Sequence, residues 1–360
     1  MRKRMLGLML SLAMITGLLL GCGGGGSSEE NTNTDTDTSA TDTSAEASEN
    51  TESTETTDST TPDEPQSASG DKVKIGVACN NFNDKWQVYM RETMATYAEE
   101  NYPEYEFIFA DGTEDINKQT GQVEDFISSG CQAIVLVAVN TDAAGSITQA
   151  CKDADIPLVT VNRLLSNQED ATAYVGSESI EAGIMQAEYM FEQMGGKGNV
   201  AILQGLAGNE ATVERTNGVK QVAEKYPDIN IVVEDIANWN RDEAMIIVEG
   251  WIQSGTQIDA ILSNNDEMAI GAVLALQDAG KREGDDKVLV AGVDATIDAL
   301  EYMKNGDLDM TVFQSPFGQA ETAVDVVIQA VKGEQVEPYN WVDYEPVTPD
   351  KVDEYIAKWS

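Results

Sequence analysis

The residues able to do chemistry in this 360-residue chain recur in one kind of place, directly after short runs rich in valine and isoleucine. Val73–Ala78 is followed by Asn80, Asn81, Asp84, Trp86 and Gln87. Later runs end in Asp111, Asn140, Asn162-Arg163, Asn238-Trp239, Asn264-Asn265-Asp266, Asp294 and Gln314. Planar carboxylates, amides and guanidinium groups each engage neighbouring hydroxyls two at a time, and an indole lies flat on the C–H face of a ring. Together these side chains suit a neutral, polyhydroxylated ring. An isolated Asn or Asp at such a place also caps the next helix or makes a turn, but capping requires neither arginine nor tryptophan. Asp84, Asp266 and Asp294 set against Arg163 and Arg215 roughly balance the charge, and no GxxxxGK[ST] or GxGxxG motif is present to cradle a phosphate.

Catalysis has little to work with. The chain contains no histidine, which removes the commonest general base and metal ligand. An exported glycosidase is the competing class. It needs two carboxyl groups at a defined separation, for which Asp84 and Asp294, facing each other, are the candidates; both read more naturally as hydroxyl acceptors. No catalytic residue, cofactor or metal site is therefore expected. Cys79, Cys131 and Cys151 are scattered, without CxxC spacing, and read as small buried hydrophobes. A net charge of -41 argues against nucleic acid as a partner.

Something must present these groups together. Val73–Ala78, Phe107–Ala110, Ala133–Val139, Leu158–Val161, Val200–Leu203, Ile231–Val233, Ala260–Leu262, Val288–Val293 and Met310–Gln314 have the near-continuous apolar character of strands in parallel sheets covered on both faces. Amphipathic segments alternate with them: Trp86–Asn101, Ile116–Ser129, Ala143–Ala154, Glu178–Met194, Asn209–Tyr226, Arg241–Ser254, Glu267–Ala279 and Ile297–Asn305, with a further helix from Phe317. Repeated β-α-β units predict an α/β fold of doubly wound, Rossmann-like sheets, whose ligands sit beyond the C-terminal strand ends. The units are too many for one small sheet. Two lobes are expected, residues 71–175 plus 315–340 and residues 176–314 plus 341–360, joined by a hinge of several strands near Val175–Ser177 and Gln314.

The first seventy residues are of another kind. Arg2, Lys3 and Arg4 precede an apolar run of 15 residues from Leu6 to Leu20, the pattern of an export signal over residues 1–21. Leu19-Leu20-Gly21-Cys22 resembles the lipobox of bacterial lipoproteins, which implies cleavage before Cys22 and a lipid on that cysteine. Residues 22–70 form a Gly/Ser/Thr tract with 12 acidic and no basic residues, a composition expected to stay disordered as a tether. Setting aside the leader's three cations and the tether's 12 acids, the net charge of -41 leaves -32 on the folded body.

The segments Val159–Arg163, Glu214–Gly218, Asn264–Ala269, Ala291–Thr296 and Thr311–Gln314, in that order and spacing, resemble motifs of the type I periplasmic sugar-binding proteins of ABC importers, the ribose- and galactose-binding group. The resemblance spans Val73 to about Val342. It implies that Trp86 and Trp239 stack on a sugar from opposite lobes, that Arg163, Arg215, Asn265, Asp294 and Gln314 hold its hydroxyls, and that Asn80, Asp84 and Gln87 contribute from the first loop. The chain departs from the ribose binders where they carry Asn-Pro-Phe-Phe and it has Asp84-Lys85-Trp86-Gln87, and where they carry Asp-Arg and it has Asn162-Arg163. Phe82–Asp84, Ala237–Arg241 and Val293–Thr296 look closer to the inositol- and rhizopine-binding branch. That branch implies a cyclic polyol, with a hexose or pentose next, captured by hinge closure and passed to a membrane permease by a monomer. Signalling to a receptor is the alternative fate.

Overall fold

The computed structural model describes residues 72–284 and 286–359, within a compact unit that runs from Ala68 to Ser360. The export signal, the acidic tether and Cys22 lie outside the described residues. Among those described, no helix is long and apolar enough to cross a membrane.

Two parallel sheets carry the chain. The first lobe contains β1 (Val73–Cys79), β2 (Tyr105–Asp111), β3 (Ala133–Leu136), β4 (Leu158–Val161) and β5 (Ala173–Gly176). The second contains β6 (Lys197–Gln204), β7 (Asp228–Ile236), β8 (Ala260–Ser263) and β9 (Leu289–Ala291). Three short late strands follow: β10 (Thr311–Phe313), β11 (Tyr339–Trp341) and β12 (Glu345–Val347). The first sheet has the order β11-β5-β4-β3-β1-β2 and the second β7-β6-β8-β9, while β10 pairs antiparallel with β12 and is bridged to the end of β9 by Ala291–Met310 and Asp294–Phe313. The central strands are wholly buried, as Val/Ile-rich strands covered on both faces must be.

The covering helices are α1 (Lys85–Asn101), α2 (Ile116–Ser128), α3 (Gly145–Asp153), α4 (Ser179–Gln193), α5 (Glu210–Ala223), α6 (Arg241–Gln253), α7 (Asp266–Asp278), α8 (Ile297–Asn305), α9 (Pro316–Val331) and α10 (Val352–Ala357). The chain passes between lobes three times: from β5 into α4, from β10 into α9, and from β11 into β12. After the second passage α9 packs Ala320, Ala323, Val324 and Val327 against Met90, Met94 and the β1 side chains of the first lobe. After the third, Val352 and Tyr355 of α10 join Ala299, Leu300 and Met303 of α8 in the second.

Two devices hold the strand ends that face the other lobe. Buried Gln119 of α2 donates to the carbonyls of Ala78 (3.3 Å) and Val137 (2.8 Å) and accepts from the Val139 N–H (2.9 Å). Buried Gln186 of α4 does the same work in the second lobe, donating to Ser263 (2.9 Å) and Gly292 (3.1 Å). Both tie down backbone groups where the strands stop, at Ala78 adding to the bond its carbonyl already accepts from the Val137 N–H (3.0 Å). The helices α4 and α5 touch backbone to backbone: a Cβ on Gly183 would lie 2.0 Å from the Arg215 carbonyl oxygen, and one on Gly218 would lie 2.4 Å from that of Ile180. That close crossing fixes where Arg215 enters the cleft.

Candidate functional site

The C-terminal ends of both sheets face one cavity of about 460 Å³ between the lobes, within the usual range for small-molecule sites. Asp84, Trp86, Gln87, Asn162 and Arg163 line it from the first lobe. Arg215, Trp239, Asn265 and Asp294 line it from the second, and Gln314 from the β10–α9 passage. Asn80 does not line it. Its side chain is fully buried, and its amide donates to Glu114 Oε1 at 2.9 Å. Where Asn80 was expected to contribute from the first loop, Glu114 reaches the cavity and Asn80 holds it from behind. Asp111 and Asn140, also at strand ends, serve turns, accepting from the N–H groups of Thr113 (2.9 Å) and Asp142 (2.9 Å).

Several lining residues do two jobs. Asp84, Asn209, Asn240, Asn265 and Thr296 are N-caps of α1, α5, α6, α7 and α8. Asp84 Oδ1 accepts from Gln87 N at 3.1 Å and Asn265 Oδ1 from Met268 N at 3.0 Å. One oxygen of each caps, which leaves the second Asp84 oxygen to the cavity, while the Asn265 amide donates one N–H to the Trp239 carbonyl (3.4 Å) and keeps the other.

Backbone strain gathers at the same place. Non-glycine residues with positive φ are uncommon, and of the eight such residues described, Glu114 (55°), Asn162 (66°), Asn238 (50°), Trp239 (63°) and Asp294 (117°) line the cavity. Functional sites are where such strain is retained. In this cleft it turns side chains inward just past the end of a strand.

Hydrogen bonds leave little freedom to the polar groups. Gln87 Nε2 donates to Asn162 Oδ1 (2.9 Å), Asn162 Nδ2 to Gln319 Oε1 (3.2 Å), and Gln319 Nε2 to Ser177 Oγ (3.1 Å), a chain running from the cavity to the β5–α4 passage. Arg163 donates to the Ala138 carbonyl (2.9 Å) and stands 3.8 Å from Glu114. Arg215 donates to Asn264 O (2.6 Å), Gln314 Oε1 (2.9 Å) and Tyr344 Oη (3.0 Å), with Asp294 at 3.9 Å. The Trp86 indole N–H goes to the Gln314 carbonyl (3.0 Å). By contrast, the Trp239 indole N–H and the Arg215 Nε are buried without a hydrogen-bond partner among the described residues, a state that costs free energy until something accepts from them.

Burial raises the carboxyl of Asp84, opposed by Arg163 and reinforced by Glu114. Burial also raises Asp294 well above the ordinary range, with Arg215 opposing and Asp266 and Asp84 adding to the rise. Beneath Asp294, Asp266 is pushed up to about 7 by burial, against hydrogen bonds from Thr311 and Thr296. Such carboxyls accept from ligand hydroxyls when ionised and donate when protonated.

Residues 75–335 match the model of the periplasmic binding protein domain. The chain belongs to that family. Its members bind solutes outside the cytoplasm and are not enzymes. This periplasmic binding protein is similar, at 45% identity and a TM-score of 0.77, to the crystal structure of an ABC transporter solute-binding protein from Bacillus halodurans with bound myo-inositol, over 81% of this chain and 99% of that one. It is 35% identical over 297 residues to a provisionally named rhizopine-binding protein of Rhizobium meliloti, covering 81% of this chain and 95% of the other. It is also 35% identical over 288 residues to a xylitol-binding protein of Mycolicibacterium smegmatis, covering 80% of each.

Residues that sequence reasoning did not single out also line the cavity: Lys85, Glu114, Asn209, Arg241 and Glu267 among them. Glu114 left no sequence signal beyond lying three residues past the end of β2. Arg241 and Glu267 lie in the first turns of α6 and α7, directly after tryptophan- and asparagine-bearing strand ends and inside motif segments the sequence had already marked.

Proposed function

We propose that this chain is the solute-binding subunit of an ABC importer that captures an inositol-like cyclic polyol, with a hexose or pentose as the next choice, between lobes formed by residues 71–175 plus 315–340 and residues 176–314 plus 341–360. The observation that carries this reading is the cleft's composition. Both lobes contribute hydroxyl-pairing groups, Arg163 and Arg215 stand against Asp84, Glu114 and Asp294, and the Trp239 indole forms part of the wall. Gln87 and Arg163 in the first lobe and Arg215 in the second are each pre-positioned by a partner inside their own lobe, which lowers the ordering cost on binding. The solved relative that holds myo-inositol supports the cyclitol, and the xylitol-binding relative supports a polyol rather than an anion.

Closure of the lobes about Gln314 and the β5–α4 passage buries the captured ring, and a membrane permease then accepts the closed form. The protein acts as a monomer, exported by residues 1–21 and held at the membrane by a lipid on Cys22, with residues 22–70 as the tether. Replacing Cys22 with Ala should send the protein into the medium, and retention at the membrane would remove the lipid anchor from this account.

The deciding experiment is a thermal-shift screen of the unit Ala68–Ser360 against cyclitols, pentoses, hexoses and amino sugars. A ligand at about 100 times its dissociation constant adds about 2.7 kcal/mol, which raises the midpoint of a body this size by roughly 5–10 °C. A flat response across the panel would reject a polyol as the solute.

A further inference from the structure

At the rim of the cleft four charged side chains meet, each 22–35% exposed. Arg241, the first residue of α6, grips Glu267 of α7 with two hydrogen bonds, from Nε and Nη2, both 2.9 Å. The same Nη2 reaches Asp298 of α8 at 3.3 Å. Those three residues belong to the second lobe and carry two negative charges against one positive. The balancing charge comes from the other lobe: Lys85, the first residue of α1, donates through Nζ to Asp298 Oδ2. Burial alone would raise the Asp298 carboxyl, and its bonds to Lys85 and Arg241 hold it below the usual range instead.

The placement runs against local helix electrostatics. A cation in the first turn of a helix is disfavoured by the macrodipole, whereas Glu267 and Asp298, in the first turns of α7 and α8, are favoured there. Lys85 therefore gains nothing from its own helix and finds its partner across the cleft. It also directly follows Asp84, while Asp298 lies four residues after Asp294, so each end of the pair is covalently close to a carboxylate that lines the cavity.

We propose that Lys85 and Asp298 form an electrostatic strap across the cleft mouth that sets how long a captured solute stays bound. Lys85 is a positioning residue that completes the Arg241–Glu267–Asp298 cluster only when the lobes are together. The inference rests on the reading of the cleft as a polyol site, and it is separable from the identity of the polyol.

The test compares the unit Ala68–Ser360 with its Lys85→Met, Lys85→Glu and Lys85→Glu/Asp298→Asn forms, following myo-inositol release by stopped-flow tryptophan fluorescence. Loss of a partly exposed pair is expected to speed release about two- to fivefold in Lys85→Met. Reversal in Lys85→Glu should speed it about tenfold, with association changed less. Asp298→Asn should recover part of the Lys85→Glu loss. Wild-type release should quicken with salt, and Lys85→Met should respond less. The unliganded melting temperature of Lys85→Glu should not fall, since a carboxylate suits the start of α1; a fall matching the loss of binding would reduce Lys85 to a structural residue. Equal release rates in all four proteins would overturn the strap. If myo-inositol fails to bind the wild type, the cyclitol reading fails separately, and the strap is then judged by small-angle scattering: wild type must expand with salt toward the Lys85→Glu envelope, and identical curves overturn it.

Discussion

Arg215 and Gln314 meet side chain to side chain at a passage between the lobes, Nη2 to Oε1 at 2.9 Å, while the backbone carbonyl of the same Gln314 accepts the indole N–H of Trp86 from the first lobe at 3.0 Å. One residue thus joins a second-lobe guanidinium to a first-lobe indole at the point where β10 leaves for α9. On the proposed reading, binding groups and hinge share atoms, which would let ligand contact bias closure.

Gln314→Leu removes the side-chain acceptor and leaves a buried guanidinium short of one partner. An unsatisfied buried group costs about 1–3 kcal/mol, so the melting midpoint should fall by several degrees. Polyol affinity should drop on the order of a hundredfold, because Arg215 loses its orientation as well as the amide. Titration calorimetry of the variant checks this, and wild-type affinity would separate hinge from site.

A second prediction concerns a residue that need never touch the solute. A Cβ at Gly205 would lie 2.1 Å from the Trp239 ring. Gly205→Ala must displace that indole, since the opposing atoms belong to a rigid ring. Overpacking of this kind costs about 1–3 kcal/mol. The expected result is roughly tenfold or more weaker polyol binding and loss of the ligand-induced change in tryptophan fluorescence, at a modest cost in thermal stability. An unaltered fluorescence response would mean that Trp239 is not part of the binding surface.

Much of this arrangement was legible in the sequence because parallel strands buried on both faces leave continuous apolar runs, and α2, α4, α6 and α7 stop at glycines. The reading of Ile297–Asn305 as a helix coincides with α8, and that of Leu158–Val161 as a strand with β4. What escaped was short or exposed. Tyr339–Trp341 and Glu345–Val347 are three-residue strands with little apolar content facing inward, and Ala173–Gly176 overlaps the stretch near Val175–Ser177 where the sequence places the hinge. At the site, Asn80 and Asn265 are the same residue type at equivalent strand ends, yet one faces Glu114 behind the wall and the other faces the cavity. Only local backbone direction separates them, and positive φ at Glu114 or Asp294 has no marker in a sequence without glycine at those positions.

Stability should carry a pH signature from Glu210. Burial pushes its carboxyl from 4.5 up to about 7, with the Ser179 hydroxyl bond (2.9 Å) and Arg215 opposing the rise. A carboxyl whose folded pKa is raised binds more protons folded than unfolded, so stability falls as pH rises from about 4.5 through about 7. Glu210→Gln keeps a hydrogen-bonding oxygen and removes the titration. The two proteins should melt alike near pH 4.5 and diverge above it, the variant becoming more stable by about 2 kcal/mol by pH 8 after allowance for partial exposure. Parallel melting curves across that range would show that Glu210 is ionised at no cost.

The last prediction addresses what kind of ring the cleft prefers. Asp84 stands at the start of α1 with one oxygen committed to Gln87 N, and burial raises its carboxyl, with Arg163 opposing and Glu114 adding to the rise. With the Lys85 ammonium committed to Asp298 of the other lobe, the first-lobe wall leaves two carboxyl groups beside one guanidinium, an imbalance that an ammonium group on the ligand would relieve. Between two cyclitols alike except for an amino group in place of one hydroxyl, the amino form should bind about tenfold tighter at pH 7. The preference should shrink in Asp84→Asn, which keeps the cap and the hydroxyl-pairing capacity but not the charge. It should also weaken as pH falls and Asp84, already raised, takes up its proton. Calorimetry with the matched pair at pH 5 and pH 7 measures both effects; an Asp84→Asn protein with undiminished amine preference would place the discriminating charge on Glu114 instead.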